Sequence, residues 1–172
     1  GHLLVAVQGF ALREVGQRAK RAALEAFQLT VSPGDLASLS FRESPRNPPA
    51  AGKVELEVLA AGLNFKDVLK ATGMMGRGTS AKQLGMEVSA RVVRLGEGVV
   101  GLEPGQRVIA LTRQGLQRFV QVEAELVFPC PDALDNHQAA GVIVAYLTAY
   151  QALVQVGRLR AGERVLIHCA TG

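Results

Sequence analysis

The chain has 172 residues, of which 48% are hydrophobic and 20% are charged. This balance is typical of a globular protein and excludes a disordered, collagen-like or coiled-coil chain. The net charge is only +4 and 5% of the residues are aromatic, so a nucleic-acid-binding surface is not expected.

The cysteines and the hydropathy indicate the cellular compartment in which the chain is expected. Cys130 and Cys169 form neither a metal-ligand spacing nor a redox pair, so we expect a reducing, cytoplasmic setting. No apolar run reaches the roughly 20 residues that cross a bilayer, and we expect no membrane partner. The apolar run at residues 3–7 is too short for a signal peptide.

Short strands separated by turns are predicted over most of the chain. Residues 1–26 fit this pattern poorly and are interpreted as a linker or the end of a preceding domain. Residues 27–31 and 36–42 predict two strands joined by a Ser-Pro-Gly-Asp turn. Residues 53–60 (KVELEVLA) alternate strictly, which predicts a strand with one apolar and one charged face.

The same pattern continues to residue 134. Residues 64–71 predict a short helix, and residues 74–82 form a Gly-rich loop. Four further strands are predicted, at residues 88–95, 107–111, 116–123 and 126–128. We therefore expect one β domain over residues 27–134.

After residue 134 the pattern changes. Asp135 or Asn136 can cap a long apolar helix over residues 138–156. Residues 163–168 (ERVLIH) predict a buried strand, and residues 169–172 (CATG) begin a turn of small residues. A helix, a buried strand and such a turn open a nucleotide-binding α/β domain. Residues 135–172 are therefore interpreted as a bridging helix and the first strand of a truncated nucleotide-binding domain.

Six segments, taken together, indicate a resemblance to a protein family more specifically than any one of them alone. They are residues 61–69 (AGLNFKDVL), 84–87 (LGME), 93–99 (VRLGEGV), 105–108 (GQRV), 145–150 (AYLTAY) and 162–168 (GERVLIH). In order and spacing the set resembles the N-terminal part of the enoyl reductase domain of polyketide and fatty acid synthases. That domain is a zinc-free member of the medium-chain dehydrogenase/reductase superfamily, related to quinone oxidoreductases. The resemblance implies a mainly β fold: a GroES-like, partly open β-barrel, a bridging helix and the first strand of a truncated Rossmann domain.

The resemblance also implies an activity. The parent domain would use NADPH to reduce an α,β-unsaturated acyl thioester on an acyl carrier protein, in polyketide or fatty acid biosynthesis. The glycine run that binds the cofactor diphosphate is expected beyond Gly172, so the chain alone is expected to be inactive. One alternative is a degenerate, non-catalytic module packed against neighbouring synthase domains, and a weaker one is half of a quinone oxidoreductase. The resemblance also allows a homodimer formed through the parent protein.

Three residues are assigned to the cofactor by this resemblance. Asn64 faces the nicotinamide in zinc-free relatives, Thr148 lies under it in the bridging helix, and Gly172 is the first glycine of the phosphate-binding run. Asn64 can also be a helix N-cap, and Thr148 can instead bond a carbonyl one turn back. Zinc is not expected, because zinc-binding relatives have Cys and His where this chain has Asn64 and Met86.

The predicted substrate pocket is apolar. Its residues lie in or just after the Asn64 helix, and they are Phe65, Val68, Leu69, Met74 and Met75. At or next to Leu69, relatives carry a Tyr that is proposed to protonate the α carbon. This chain has no hydroxyl at Val68 or Leu69, so no general acid is assigned. Met74 and Met75 can line the acyl entrance or belong to an ordinary mobile loop.

Overall fold

Strands dominate the computed structural model, which describes residues 25–75 and 83–168. Within these residues the strands are β1 (Phe27–Ser32), β2 (Asp35–Glu43), β3 (Lys53–Gly62), β4 (Glu87–Leu95), β5 (Arg107–Leu111), β6 (Phe119–Glu123) and β7 (Val127–Pro129). One helix, α1 (Phe65–Ala71), lies between β3 and β4. Two more, α2 (Asn136–Ala140) and α3 (Ile143–Tyr150), follow β7. The predicted mainly β fold is confirmed.

Five strands form one antiparallel sheet in the order β6-β3-β4-β5-β7. The sheet is open, because its edge strands β6 and β7 do not pair with each other. Its core consists of small and β-branched side chains, which suit a pleated, buried surface. These residues are Val54, Leu56, Val88, Ala90, Val92, Val108, Ala110, Val120, Val122 and Val127. The alternation of β3 places Val54 and Leu56 in this core, as predicted.

The charged face of β3 carries a buried ion cluster. The Glu55 side chain is only 2% exposed and accepts two hydrogen bonds from each of two guanidinium groups, those of Arg46 and Arg94. Arg94 also donates to the Asn47 carbonyl at 2.9 Å, and the Arg46 guanidinium lies 3.9 Å from the centroid of the Phe119 ring. The cluster therefore fixes the loop between β2 and β3, which contains Arg46 and Asn47, against the sheet.

These contacts set the protonation of Glu55. Burial alone would raise the pKa of its carboxyl group, but the hydrogen bonds from Arg94 and Arg46 outweigh burial and hold the pKa below its ordinary value. The carboxylate therefore stays ionised at neutral pH. Its two cationic partners offset the free-energy cost of burying that charge.

The hairpin formed by β1 and β2 explains why β6 begins later than predicted. The backbone N–H of Leu29 donates to the Leu116 carbonyl at 2.8 Å, and the N–H of Arg118 donates to the Phe27 carbonyl at 2.8 Å. Residues 116–118 therefore bond to β1, and the regular pairing of β6 with β3 begins at Phe119, next to a bond from the Val58 N–H to the Arg118 carbonyl at 2.8 Å. The predicted strand over residues 116–123 is wrong in its first three residues.

The long helix predicted over residues 138–156 is interrupted. Helix α2 ends at Ala140, Gly141 follows, and α3 begins at Ile143. The interruption coincides with Gly141, and glycine has low helix propensity. At the start of α3 the backbone N–H of Val144 has no partner within the helix and donates to the buried Glu87 carboxylate at 2.9 Å. After Tyr150 the chain continues as a π-helical turn, Gln151–Val156.

The strand predicted over residues 163–168 is not formed. Residues 163–167 have no regular structure, and Leu166 is 81% exposed. A strand needs a partner for its backbone groups, and none of the described strands pairs with this segment. The prediction of a buried strand is therefore wrong for the chain as observed.

Candidate functional site

Asn64 occupies the N-cap position of α1, one of the two interpretations offered by the sequence. Its backbone N–H donates to the Asp67 carboxylate at 3.0 Å. Asp67 is 1% exposed and also accepts from the N–H of Gly85 at 2.9 Å. An acid in the first turn stabilises a helix start. Here the same carboxylate attaches that start to the segment that leads into β4.

Glu87 joins the Asn64 amide to the bridging helix. One carboxylate oxygen accepts from Nδ2 of Asn64 at 3.1 Å, and the other accepts from the backbone N–H of Val144 at 2.9 Å. Glu87 is 3% exposed, so its carboxylate is largely removed from water and orients both donors. One buried carboxylate therefore sets the position of Asn64 relative to α3.

Close backbone packing surrounds this carboxylate. A Cβ atom added at Gly62 would lie 2.5 Å from the Ala140 carbonyl oxygen and 2.6 Å from Cγ of Glu87. Only glycine leaves room for these neighbours, so the end of β3 can approach both α2 and the Glu87 side chain. In the sequence, Glu87 stands out only as part of the LGME segment. Its role was missed because both of its partners are distant in sequence.

The chemistry of Asn64 is that of a half-buried, oriented amide. An amide nitrogen has two N–H donors. Glu87 accepts one of them, and the other has no acceptor within residues 25–75 and 83–168. This N–H can donate to a carbonyl or enolate oxygen of a ligand. The N-cap and ligand-binding interpretations of Asn64 are therefore compatible.

Thr148 lies on α3 with its side chain exposed. Its hydroxyl donates to the Val144 carbonyl at 2.6 Å, which is the local bond expected as the alternative to a cofactor contact. Because the hydroxyl proton is used, the oxygen remains available as an acceptor for a ligand donor. Gly172, the third residue assigned to the cofactor, lies outside the described residues.

The predicted pocket residues are divided between two surfaces. Phe65, Val68 and Met74 are exposed, with Phe65 at 74%, and Leu69 is half-buried. Met75 instead lines a cleft of about 930 Å³ between α1, the end of β5 and β6. The structure therefore does not bring the five predicted residues together in one pocket.

The cleft combines apolar and cationic side chains. Its apolar lining includes Met75, Met86 and Leu111. The charged residues that line it are Lys53, Lys66, Lys70, Arg113 and Glu123. No residue of α3 contributes to this lining, so Thr148 lies outside the cleft.

Comparison with known proteins places this geometry in a family. Residues 50–132 match the profile of the alcohol dehydrogenase GroES-like domain. The crystal structure of the CurK enoyl reductase superposes with a TM-score of 0.81 at 33% sequence identity, covering 86% of this chain and 48% of that chain. The chain contains the GroES-like domain of the medium-chain dehydrogenase/reductase superfamily.

The chain is similar to part of a much larger synthase. It is 48% identical over 141 residues to a phenolphthiocerol/phthiocerol polyketide synthase of Mycobacterium tuberculosis, covering 81% of this chain and 6% of that protein. The Escherichia coli quinone oxidoreductase complexed with NADPH matches with a TM-score of 0.67 at 25% identity, covering 76% of this chain and 41% of that one. The chain thus spans about half the length of the solved reductases that it matches.

Two further properties of the described residues concern metals and membranes. Within the described ranges, no group of three or more His, Cys, Asp or Glu side chains is placed to hold a metal ion. No helix among the same residues is both long and apolar enough to cross a bilayer.

Proposed function

We propose that the chain forms the substrate-side wall of an enoyl reductase domain in a polyketide or fatty acid synthase. The substrate is an α,β-unsaturated acyl thioester on an acyl carrier protein, and the cofactor is NADPH. The observation that carries the proposal is the oriented Asn64 amide, which Glu87 connects to the start of α3. We place the parent protein in a reducing compartment such as the cytosol, because Cys130 is a free, buried thiol.

Residues of this chain fit the cofactor. NADPH supplies a hydride when it is bound. The remaining N–H of Asn64 would donate to the carbonyl of the nicotinamide carboxamide or to the thioester oxygen that gains charge during reduction. The Thr148 oxygen, whose own proton is committed to Val144, would accept from the carboxamide nitrogen. Both groups would orient reactants rather than transfer protons.

The exposed apolar residues of α1 support an acyl-binding role. Phe65 and Val68 lie within one turn of Asn64, and their exposure leaves an apolar surface that a bound chain would cover. Such a wall would exclude water from the reacting carbon atoms. Since Val68 and Leu69 carry no hydroxyl group, we assign the α proton to water or to residues of the parent protein outside this chain.

A non-catalytic module remains the second candidate, because one exposed surface of the chain suits it as well as it suits the first candidate. Helix α3 and the turn after it expose Tyr146, Leu147, Tyr150 and Val154, an apolar face that could pack against a neighbouring synthase domain. A nucleotide-binding domain would use the same face, so activity must separate the two candidates.

The deciding experiment measures NADPH oxidation with a crotonyl thioester, using this chain joined to its nucleotide-binding half. Reduction is expected, and Asn64→Ala should lower kcat by roughly 10²-fold, the lower end of what losing one oriented donor costs. Asn47→Ala is the matched control, since Asn47 is exposed and contributes only its backbone carbonyl to the contacts described. No reduction by the joined protein would favour the non-catalytic module.

A titration of the 172-residue chain with NADPH tests which half of the proposed reductase binds the cofactor. Nicotinamide fluorescence should show no saturable NADPH binding up to millimolar concentration, because the diphosphate site is proposed to lie in the other half. Micromolar binding would show that the chain carries a cofactor site of its own, and the proposed division would be wrong.

A further inference from the structure

The cleft between α1, the end of β5 and β6 has an excess of positive charge. Among the described residues that line it, the one acidic residue is Glu123, which lies 3.0 Å from Lys53 and is therefore already paired. The other three cations are Lys66, Lys70 and Arg113. None of them has a carboxylate within ion-pair distance in the part of the chain that the structure describes.

Lys70 is the most buried of these three cations. The residue is only 8% exposed, and its ammonium group donates to the neutral Gln83 carbonyl. An ammonium has three N–H donors, and a buried cation without a counter-ion is destabilising. An anion in the cleft would supply the missing charge and the missing acceptors.

Two further cations are positioned to share that anion. Lys66 lies one helical turn before Lys70, and side chains four residues apart project from the same face of a helix. Arg113 comes from the segment after β5 and lines the same cleft. Three cations from two elements suit an anion with several oxygens, and guanidinium groups match phosphate geometry especially well.

The rest of the lining indicates what the anion is attached to. Met75, Met86 and Leu111 form an apolar surface beside the cations, and methionine adapts to flexible chains. We propose that this cleft binds the phosphate ester of the phosphopantetheine arm that carries the acyl group. This inference rests on the proposed function, because it assigns a subsite for the carrier arm of that substrate.

The test compares two ligands that differ only in the phosphate. The 172-residue chain is titrated with 4′-phosphopantetheine and with pantetheine by calorimetry. We expect the phosphorylated ligand to bind at least about tenfold more tightly, as charge-assisted hydrogen bonds predict. The preference should weaken at high salt. Equal affinities, or no binding of either ligand, would overturn the proposal.

Variants assign the preference to the cleft. Lys66 and Arg113 are exposed, so Lys66→Gln and Arg113→Gln should reduce the preference while leaving thermal unfolding unchanged. Lys53→Gln is the matched control: it lines the same cleft, but its charge is paired with Glu123, and the preference should persist. Equal loss in all three variants would indicate nonspecific attraction and would contradict the proposal.

Two additional measurements are needed. One distinguishes the phosphate of the carrier arm from a phosphate of the cofactor, and the other distinguishes failure of this proposal from failure of the proposed function. If Lys66→Gln weakens NADPH binding to the joined reductase and leaves phosphopantetheine binding intact, the phosphate belongs to the cofactor and the assignment to the arm is wrong. Binding is measured without turnover. A joined protein that binds the phosphorylated arm but reduces no thioester therefore contradicts the proposed function and leaves the cleft assignment standing.

Discussion

Replacing Glu55 by glutamine should destabilise the chain at neutral pH by about 2–4 kcal/mol. Removing one partner of a buried ion pair costs roughly 3–5 kcal/mol, because the remaining charge loses its partner. The two arginine side chains are 30% and 37% exposed, so water can solvate them partly after the substitution, and we discount the cost accordingly. The amide retains one acceptor oxygen where the carboxylate accepted four N–H groups.

The loss should depend on pH in a defined direction. Hydrogen bonds from the arginines hold the pKa of Glu55 below its ordinary value in the folded chain. A lowered folded pKa contributes stability that is complete above the ordinary glutamate pKa of about 4.3 and is lost as pH falls through the folded pKa. Glutamine does not titrate. The difference in unfolding free energy between Glu55→Gln and the unmodified chain should therefore shrink in acid.

Urea denaturation at pH 7, 5 and 3 measures this difference directly. Glu57→Gln is the matched control, because Glu57 faces a single arginine, Arg118, at 3.5 Å in a partly exposed pair. It should cost less than about 1 kcal/mol. If Glu55→Gln costs no more than Glu57→Gln at pH 7, or if its cost is the same at pH 3, the reasoning from the buried cluster is refuted.

Two further substitutions test the packing around the candidate site. Gly62→Ala should lower the melting temperature, because the new Cβ would meet the Ala140 carbonyl oxygen at 2.5 Å, whereas Gly141→Ala, whose Cβ would meet nothing within 4 Å, should not. Glu87→Ala leaves both the Asn64 amide and the Val144 N–H without their acceptor and should cost about 1–3 kcal/mol. Hydrogen exchange at the Val144 amide should accelerate in that variant, and unchanged exchange would contradict the bridge.

Local patterns predicted most of the strands. The strict alternation of residues 53–60 corresponds to β3 at Lys53–Gly62, and residues 107–111 correspond to β5. Where prediction failed, distant contacts decided the outcome. Residues 116–118 have a strand pattern but pair with the β1–β2 hairpin, about 90 residues away. Residues 163–168 have the composition of a strand and lack a partner among the described strands.

The candidate site was predictable only in part, for the same reason. A polar residue before an apolar turn indicated the Asn64 cap, and the structure has that cap. The bridge through Glu87 joins residues 23 and 57 positions apart in the chain, and no local pattern encodes such a pair. The roles of Asn64, Thr148 and the apolar residues of α1 in binding stay predictions, because they concern ligands rather than contacts within the chain.

The strand order of the main sheet affects how the chain folds during synthesis. β3 pairs with both β4 and β6, but β6 begins about 60 residues after β3 ends. At roughly 5–20 residues per second, β3 is synthesised roughly 3–12 s before β6. During that time the edge of β3 that pairs with β6 has no partner from its own sheet. An unpaired strand edge can pair with other chains. Slow translation between Gly62 and Phe119 should therefore favour aggregation of the nascent protein, whereas slowing after Glu123 should not.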